Sequence, residues 1–275
     1  MFATWFFIDE LDLLFDAGDG VTAGLMQKSK KIKHAFISHA DRDHLTGLVQ
    51  LNQLVADKPN ALNIYHPEAS GSFNALKEFT GRFDPHVAGA NWIGINAGDT
   101  INIKTGFNVK VLPSKHLPGT SDYSKSFSFI IYKTRQKLLK QYEQLSQQEI
   151  IALRKNNITI TEEISEPLLA YSADSPVETD GRWNNIPILI HECTFLNRDG
   201  NIQNVTKANL HSALPELAKM LSTSNNQHII LSHFSTRYNH QQIDEAVAFY
   251  KQQYPQLSNV RILYPGQIQT FNFEI

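Results

Sequence analysis

The segment Ile37-Ser38-His39-Ala40-Asp41-Arg42-Asp43-His44-Leu45-Thr46-Gly47-Leu48 constrains this chain more than any other. An apolar run leads into it and an amphipathic run leaves it, so it reads as a strand-to-helix turn. Two histidines and two aspartates fall within six positions of that turn. Such a turn can aim all four side chains at one point. Imidazole nitrogens and carboxylate oxygens are the donors a zinc-like divalent ion takes when it keeps a position open for water. A solvated surface turn also collects His and Asp, so the remainder of the chain has to separate the two readings.

The same punctuation recurs downstream. His116 follows an apolar stretch, Asp174 closes Leu169-Ala170-Tyr171-Ser172-Ala173, Glu192 follows Ile188-Leu189-Ile190-His191, and His233 ends Ile229-Ile230-Leu231-Ser232. Each alone is an ordinary capping or hydrogen-bonded residue. A chain that repeatedly ends apolar strands in Asp, Glu or His, in step with residues 39–44, suits two metal ions sharing one bridging carboxylate.

The apolar periodicity predicts strands over residues 4–8, 11–15, 34–37 and 62–65. A Gly-rich bend, Asp16-Ala17-Gly18-Asp19-Gly20, leads to a helix reaching about Lys30, and further helices are expected over 45–55 and 73–83. A strand-rich stretch runs from about 87 to 132, with turn signals at Ala97-Gly98-Asp99 and Pro118-Gly119. Strands return at 168–172, 186–191, 228–232 and 261–263. Leu214, Leu217, Ala218 and Leu221 share one helical face, as do Ile243, Ala246, Val247 and Tyr250. Two strand-rich halves with helices predict a layered α/β sandwich in one domain, residues 1–275. Residues 133–167 are charged and Gln-rich, with a helical pattern near 145–155, and read as an arm-like insertion.

With 41% hydrophobic residues a sizeable core is available, and a net charge of −2 carries no global basic field for nucleic acid. A nucleic-acid substrate would need local patches. Lys28, Lys30, Lys31 and Lys33 form one, and Lys133, Arg135, Lys137 and Lys140 another; solvated faces are the plainer reading of both. The single Cys193 excludes an internal disulfide and any Cys-rich zinc module. The opening Met1-Phe2-Ala3-Thr4-Trp5-Phe6-Phe7-Ile8 is too short for a membrane span and lacks a basic start, so a cytoplasmic location with no membrane partner is expected.

The order of these segments resembles the metallo-β-lactamase superfamily, and within it the ribonuclease Z (tRNA 3′-processing) branch. Residues 39–44 stand at its His-x-His-x-Asp-His motif, and Leu13-Leu14-Phe15-Asp16-Ala17-Gly18 resembles the bend before its first helix. Tyr171-Ser172-Ala173-Asp174-Ser175 is similar to its bridging-Asp segment. Glu192-Cys193-Thr194-Phe195 is similar to its Glu-x-Thr-Phe, and His233-Phe234-Ser235-Thr236-Arg237-Tyr238 to its His-Phe-Ser-x-Arg-Tyr. The arm resembles the short linker of compact members.

The resemblance implies an αββα sandwich holding two divalent metal ions, zinc first, with manganese or iron as alternatives. One ion would be held by His39, Asp41 and His116, the other by Asp43, His44 and His233, and Asp174 would bridge them. It implies attack on an RNA phosphodiester, tRNA 3′-trailer removal in the first instance, by a bridging hydroxide that Asp43 orients. Glu192 and His211 would protonate the leaving oxygen, Ser235 and Arg237 would contact phosphate, and two copies would pair as a homodimer. Alternatives are the same chemistry on a small phosphodiester or other ester, and a metal-poor, non-catalytic RNA-binding relative. One position departs from the pattern: Asp41 stands where the branch has its second His. Aspartate reaches less far and adds a negative charge. It leaves open a harder, oxygen-rich half-site, a weak first site, or a different substrate.

Overall fold

Side-chain alternation along each strand builds the architecture, because successive residues point to opposite faces of a sheet. The computed structural model describes residues 3–54, 62–83, 89–117, 124–197 and 210–273. One sheet has five strands in chain order: β1 (Phe6–Ile8), β2 (Leu13–Phe15), β3 (His34–Phe36), β4 (Asn63–Pro67) and β5 (Asn91–Ile95). The other has seven: β6 (Thr100–Lys104), β7 (Phe107–Pro113), β8 (Phe127–Leu138), β9 (Thr161–Tyr171), β10 (Ile188–Glu192), β11 (His228–Ser232) and β12 (Val260–Ile262). Strands β2 to β5 run parallel, as do β9 to β12.

Leu13, Phe15, Phe36, Tyr65, Phe129, Leu169, Ile188 and Ile230 fill the space between the sheets. Their strand neighbours face outward. Leu14, Ala35 and Ile64 pack with Val21 of α1 (Val21–Leu25), Leu48 and Leu51 of α3 (Leu48–Leu54), and Phe73 of α4 (Gly71–Phe83). On the far side, Leu189, Ile229 and Leu231 pack with Leu214, Leu217 and Leu221 of α6 (Leu214–Leu221) and Ile243 and Val247 of α7 (His240–Gln253). The layers therefore run helix, sheet, sheet, helix. This is the expected αββα sandwich.

Several element bounds differ from the periodicity. The helix expected over 45–55 starts earlier and divides into α2 (Arg42–Leu45) and α3, with Gly47 at the break. A Cβ at Gly47 would lie 2.3 Å from the carbonyl oxygen of Gly18, so only glycine lets the two loops approach. Across this contact Ala17 N donates to His44 O (2.7 Å) and Gly47 N to Ala17 O (2.8 Å), pinning the ligand-rich turn to the Asp16 bend. The helix expected to reach Lys30 gives way to 3-10 turns over Met26–Lys31.

The expected arm is partly sheet. β8 and β9 continue past the core as an antiparallel pair that closes Leu138 against Thr161, with α5 (Gln147–Lys155) between them. Lys133 lies opposite Glu166 and Lys137 opposite Glu162. Such cross-strand pairs stabilise a ribbon that is polar on both faces, which leaves no apolar period to read. Of the lysine cluster, Lys28 and Lys31 bind Asp9, and Lys33 binds Asp12, as a solvated face would. The Pro118-Gly119 turn lies outside the described residues, among which no helix is long and apolar enough to cross a membrane.

Candidate metal centre

Parallel strands from both sheets end at one edge, where loops display functional groups. β3 leads to His39, β9 to Asp174, β10 ends in Glu192, and β11 leads to His233. His116 follows the antiparallel β7. The short helix α2 sets Asp43 and His44 in one turn, with Asp41 at its N-cap. An N-cap aspartate ordinarily accepts a backbone N–H of the first turn. Asp41 makes no such bond. Its Oδ2 instead lies 3.6 Å from both His39 Nε2 and His116 Nε2.

Two donor sets result, with Asp174 between them. Asp174 Oδ2 faces His39 Nε2 (3.7 Å) and His116 Nε2 (3.9 Å), while Oδ1 faces His44 Nε2 (3.4 Å) and His233 Nε2 (3.2 Å). Asp43 Oδ2 completes the second set, 3.7 Å from His44 Nε2 and 3.5 Å from His233 Nε2. Two donors on one tetrahedral zinc with bonds of ~2.0–2.2 Å are about 3.3–3.6 Å apart. The observed separations suit two ions sharing one carboxylate. His39 Nε2, His116 Nε2, Asp43 Oδ2 and Asp174 Oδ1 are buried with no hydrogen-bond partner, an arrangement that is unfavourable until a cation takes it up. The residues fit the metal pair.

The outer ring nitrogens are all occupied, which fixes each tautomer with Nε2 turned inward. His44 Nδ1 donates to Asp16 Oδ2 (2.7 Å), and His116 Nδ1 to the carbonyl of Leu210 (3.1 Å). His233 Nδ1 meets Thr194 Oγ1 (3.1 Å). His39 Nδ1 meets Ser38 Oγ (2.9 Å), which itself donates to Asp16 Oδ2 (2.9 Å). Asp16 also accepts from Ser38 N (2.7 Å) and Tyr171 Oη (2.5 Å), so one buried carboxylate orients both histidines of the turn. Asp16, Ala173 and His233 hold φ of 53°, 51° and 60°, an αL geometry costly for any residue but glycine. Three of the eight non-glycine residues with positive φ among the described residues thus lie at the site.

The electrostatics agree with a cation centre. The His116 and His39 imidazoles hold the Asp41 carboxyl well below the usual carboxylate range. Burial pushes Asp43 and Asp174 up, but the surrounding histidines outweigh it and keep both anionic. Burial, helped by His44, pushes the His39 imidazole down toward its neutral, ligating form.

Residues 12–139 match the beta-lactamase superfamily domain. A tRNase Z of Arabidopsis thaliana, TRZ1, is 28% identical over 221 residues, 78% of this chain and 76% of its own. A ribonuclease Z of Methanocaldococcus jannaschii is 26% identical over 250 residues, 82% and 77% of the two chains. Among solved structures, the metallo-beta-lactamase fold protein YhfI of Bacillus subtilis superposes with a TM-score of 0.60 at 17% identity, over 93% of this chain and 85% of that one. The chain is similar to the metallo-β-lactamase superfamily and, among its curated relatives, to proteins named tRNase Z and ribonuclease Z.

In this metallo-β-lactamase fold a second group of residues adjoins the metal set. Glu192 accepts from Ser175 N (2.8 Å), Thr194 N (3.1 Å), Thr194 Oγ1 (2.6 Å) and His211 Nδ1 (2.9 Å). Burial pushes the His211 imidazole down, but its hydrogen bond and charge pairing with Glu192 outweigh that and raise it. His211, equally readable from sequence as a surface histidine, is largely enclosed here and sits 3.9 Å from Asp174 Oδ2. Ser235 and Arg237 turn toward each other, Arg237 Nε donating to Ser235 Oγ (3.1 Å), with the guanidinium over the Phe195 ring. Thr194 went unassigned in the sequence reading, yet its hydroxyl joins Glu192 to His233. The Glu-x-Thr-Phe motif was the only signal available for it.

Proposed function

We propose that the chain is a two-metal phosphodiesterase of RNA, with removal of tRNA 3′ trailers as its reaction, working in the cytoplasm as a homodimer. The observation that carries this is Asp174 facing a donor set with each of its oxygens, beside the Glu192–His211 pair. The names of the curated relatives, tRNase Z and ribonuclease Z, support the substrate.

His39, Asp41, His116 and Asp174 would hold one ion, and Asp43, His44, His233 and Asp174 the other, zinc being the first expectation for this nitrogen and oxygen donor set. Bound there, the ions supply an activated water near neutral pH and draw charge from the phosphate. Asp43, at the edge of its set, accepts a hydrogen bond from the attacking water and orients it. His211 carries a proton that Glu192 stabilises through Nδ1, so its Nε2–H serves the departing 3′-oxygen. Arg237 and Ser235 contact the phosphates that flank the reacting one.

Metal analysis of the purified chain should find about two divalent ions, and precursor tRNA should be cut at the 3′ end of the mature sequence. Asp43→Ala should lower that rate by at least a hundredfold. Fewer than one ion per chain with no diester cleavage would sink the reading. Hydrolysis of a chromogenic diester without cleavage of precursor tRNA would move it to a small phosphodiester.

A further inference from the structure

The edge that carries the metal set continues past His233. The loop after β12 and the start of α7 border a solvent-open cavity of about 550 Å³, lined by Thr236, Tyr238, Asn239, His240, Gln241 and Pro265. That volume lies within the range of small-ligand sites. Thr236 follows His233 by three positions, so the chain allows at most about 11 Å between their Cα atoms. The intervening loop is fixed by Ser235 N donating to Thr194 O (3.0 Å) and Tyr238 N to Ser235 O (3.1 Å). Arg237 spans the gap, its guanidinium 5.3 Å from the Phe195 ring centre and 6.0 Å from that of Tyr238. Phe195 in turn meets the His211 ring edge-on at 6.2 Å. A line of rings and one cation therefore leads from the proton donor to the cavity.

None of the six lining residues is Asp, Glu, Lys or Arg, so the cavity suits an uncharged planar group better than a phosphate. His240 offers an exposed ring backed by Tyr264, centroids 4.5 Å apart and planes at 41°. The Tyr264 hydroxyl is held by Asp244, and Asn239 and Gln242 cap α7 reciprocally, so the rim is braced. Aromatic platforms of this kind stack bases of single-stranded RNA with little regard to sequence.

We infer that this cavity is a nucleobase subsite, taking the base of one nucleotide that flanks the scissile phosphate and stacking it on His240. The inference rests on the reading of the chain as an RNA phosphodiesterase. The test measures binding of a fluorescent five-nucleotide phosphorothioate RNA, and of five copies each lacking one base, to the metal-loaded full chain by anisotropy. Loss of one particular base should weaken the wild type about tenfold, within the range of one base stack. The same loss should add nothing in His240→Ala or in Thr236→Phe, which fills the cavity. Both positions are exposed, and unchanged hydrolysis of a chromogenic diester confirms that the variants fold. Binding that is undetectable, indifferent to every base, or equally base-dependent in His240→Ala overturns the subsite. Base-dependent binding without cleavage of precursor tRNA leaves the subsite standing and removes the tRNA assignment. Cleavage with base-indifferent binding removes the subsite alone.

Discussion

Asp41 shows how one side chain can forgo a local bond for a distant one. Capping α2 would contribute about 1 kcal/mol, yet its carboxylate turns to His39 and His116. Asp41→Ala therefore loses no cap, but it removes a carboxylate whose ionised form His116 and His39 stabilise, so the metal-free protein should be less stable near neutral pH. Metal content should fall toward one ion per chain; two ions retained would show that Asp41 is not a ligand. Glu178 carries the opposite tension. Burial pushes its carboxyl up, only partly opposed by Arg182. A raised folded pKa means the folded state keeps a proton that the unfolded state has released. Stability then falls as pH rises from the unfolded glutamate's ordinary value through the folded one. Glu178→Gln removes that loss. Its urea midpoint should exceed the wild type's at pH 7, with the advantage vanishing by pH 4, and an equal advantage at both values would count against burial as the cause. Residues such as His39 and Asp174 were legible in the sequence because a strand end announces what it displays. Thr194 and Asp16 were not, because apart from Thr194's bond to the nearby Glu192 their side-chain partners lie 17 to 155 positions away, where only the fold brings them together.

Elements were legible where one face is apolar and obscure where neither is. β10 and β11, buried on both sides, stand out as short apolar runs, as sandwich strands should. The outer halves of β8 and β9 are held by paired charges, so composition alone makes them an arm. Neither α5 nor the 3-10 turn Lys140–Tyr142 buries a residue, and α5 is sustained by the Ser146–Glu149 capping box. Leu139 N donates to Ile160 O at 2.9 Å, so the ribbon is closed before the helix begins. Replacing residues 140–159 with Asn-Gly, a turn matched to a two-residue hairpin, should keep the metal content and leave Tm within about 3 °C or above it. A shorter loop costs less to close, by about 0.6 kcal/mol per halving. Calorimetry decides: a fall of ten degrees would mean that the tip packs on the core.

Across the whole molecule the donor sets join two layers. His39, Asp41, Asp43 and His44 follow a strand of the five-stranded sheet, whereas His116, Asp174 and His233 follow strands of the seven-stranded one. An ion bound to either set thus bridges the sandwich at its edge, with Asp174 in both. Unfolding separates the two sheets and scatters the donors, so occupancy adds directly to stability. An ion at a hundred times its Kd contributes about 2.7 kcal/mol. One kcal/mol moves the Tm of a chain this large by roughly 2–4 °C. Two ions should then raise Tm by roughly 10–20 °C over the chelated protein. The sharing of Asp174 ranks the variants. Asp174→Asn weakens both sets and should lose most of the increment, while Asp41→Ala touches one set and should lose about half. Scanning calorimetry with and without chelator reads all three. A chelator-insensitive Tm in a chain that carries metal would show that the ions sit elsewhere than between the sheets.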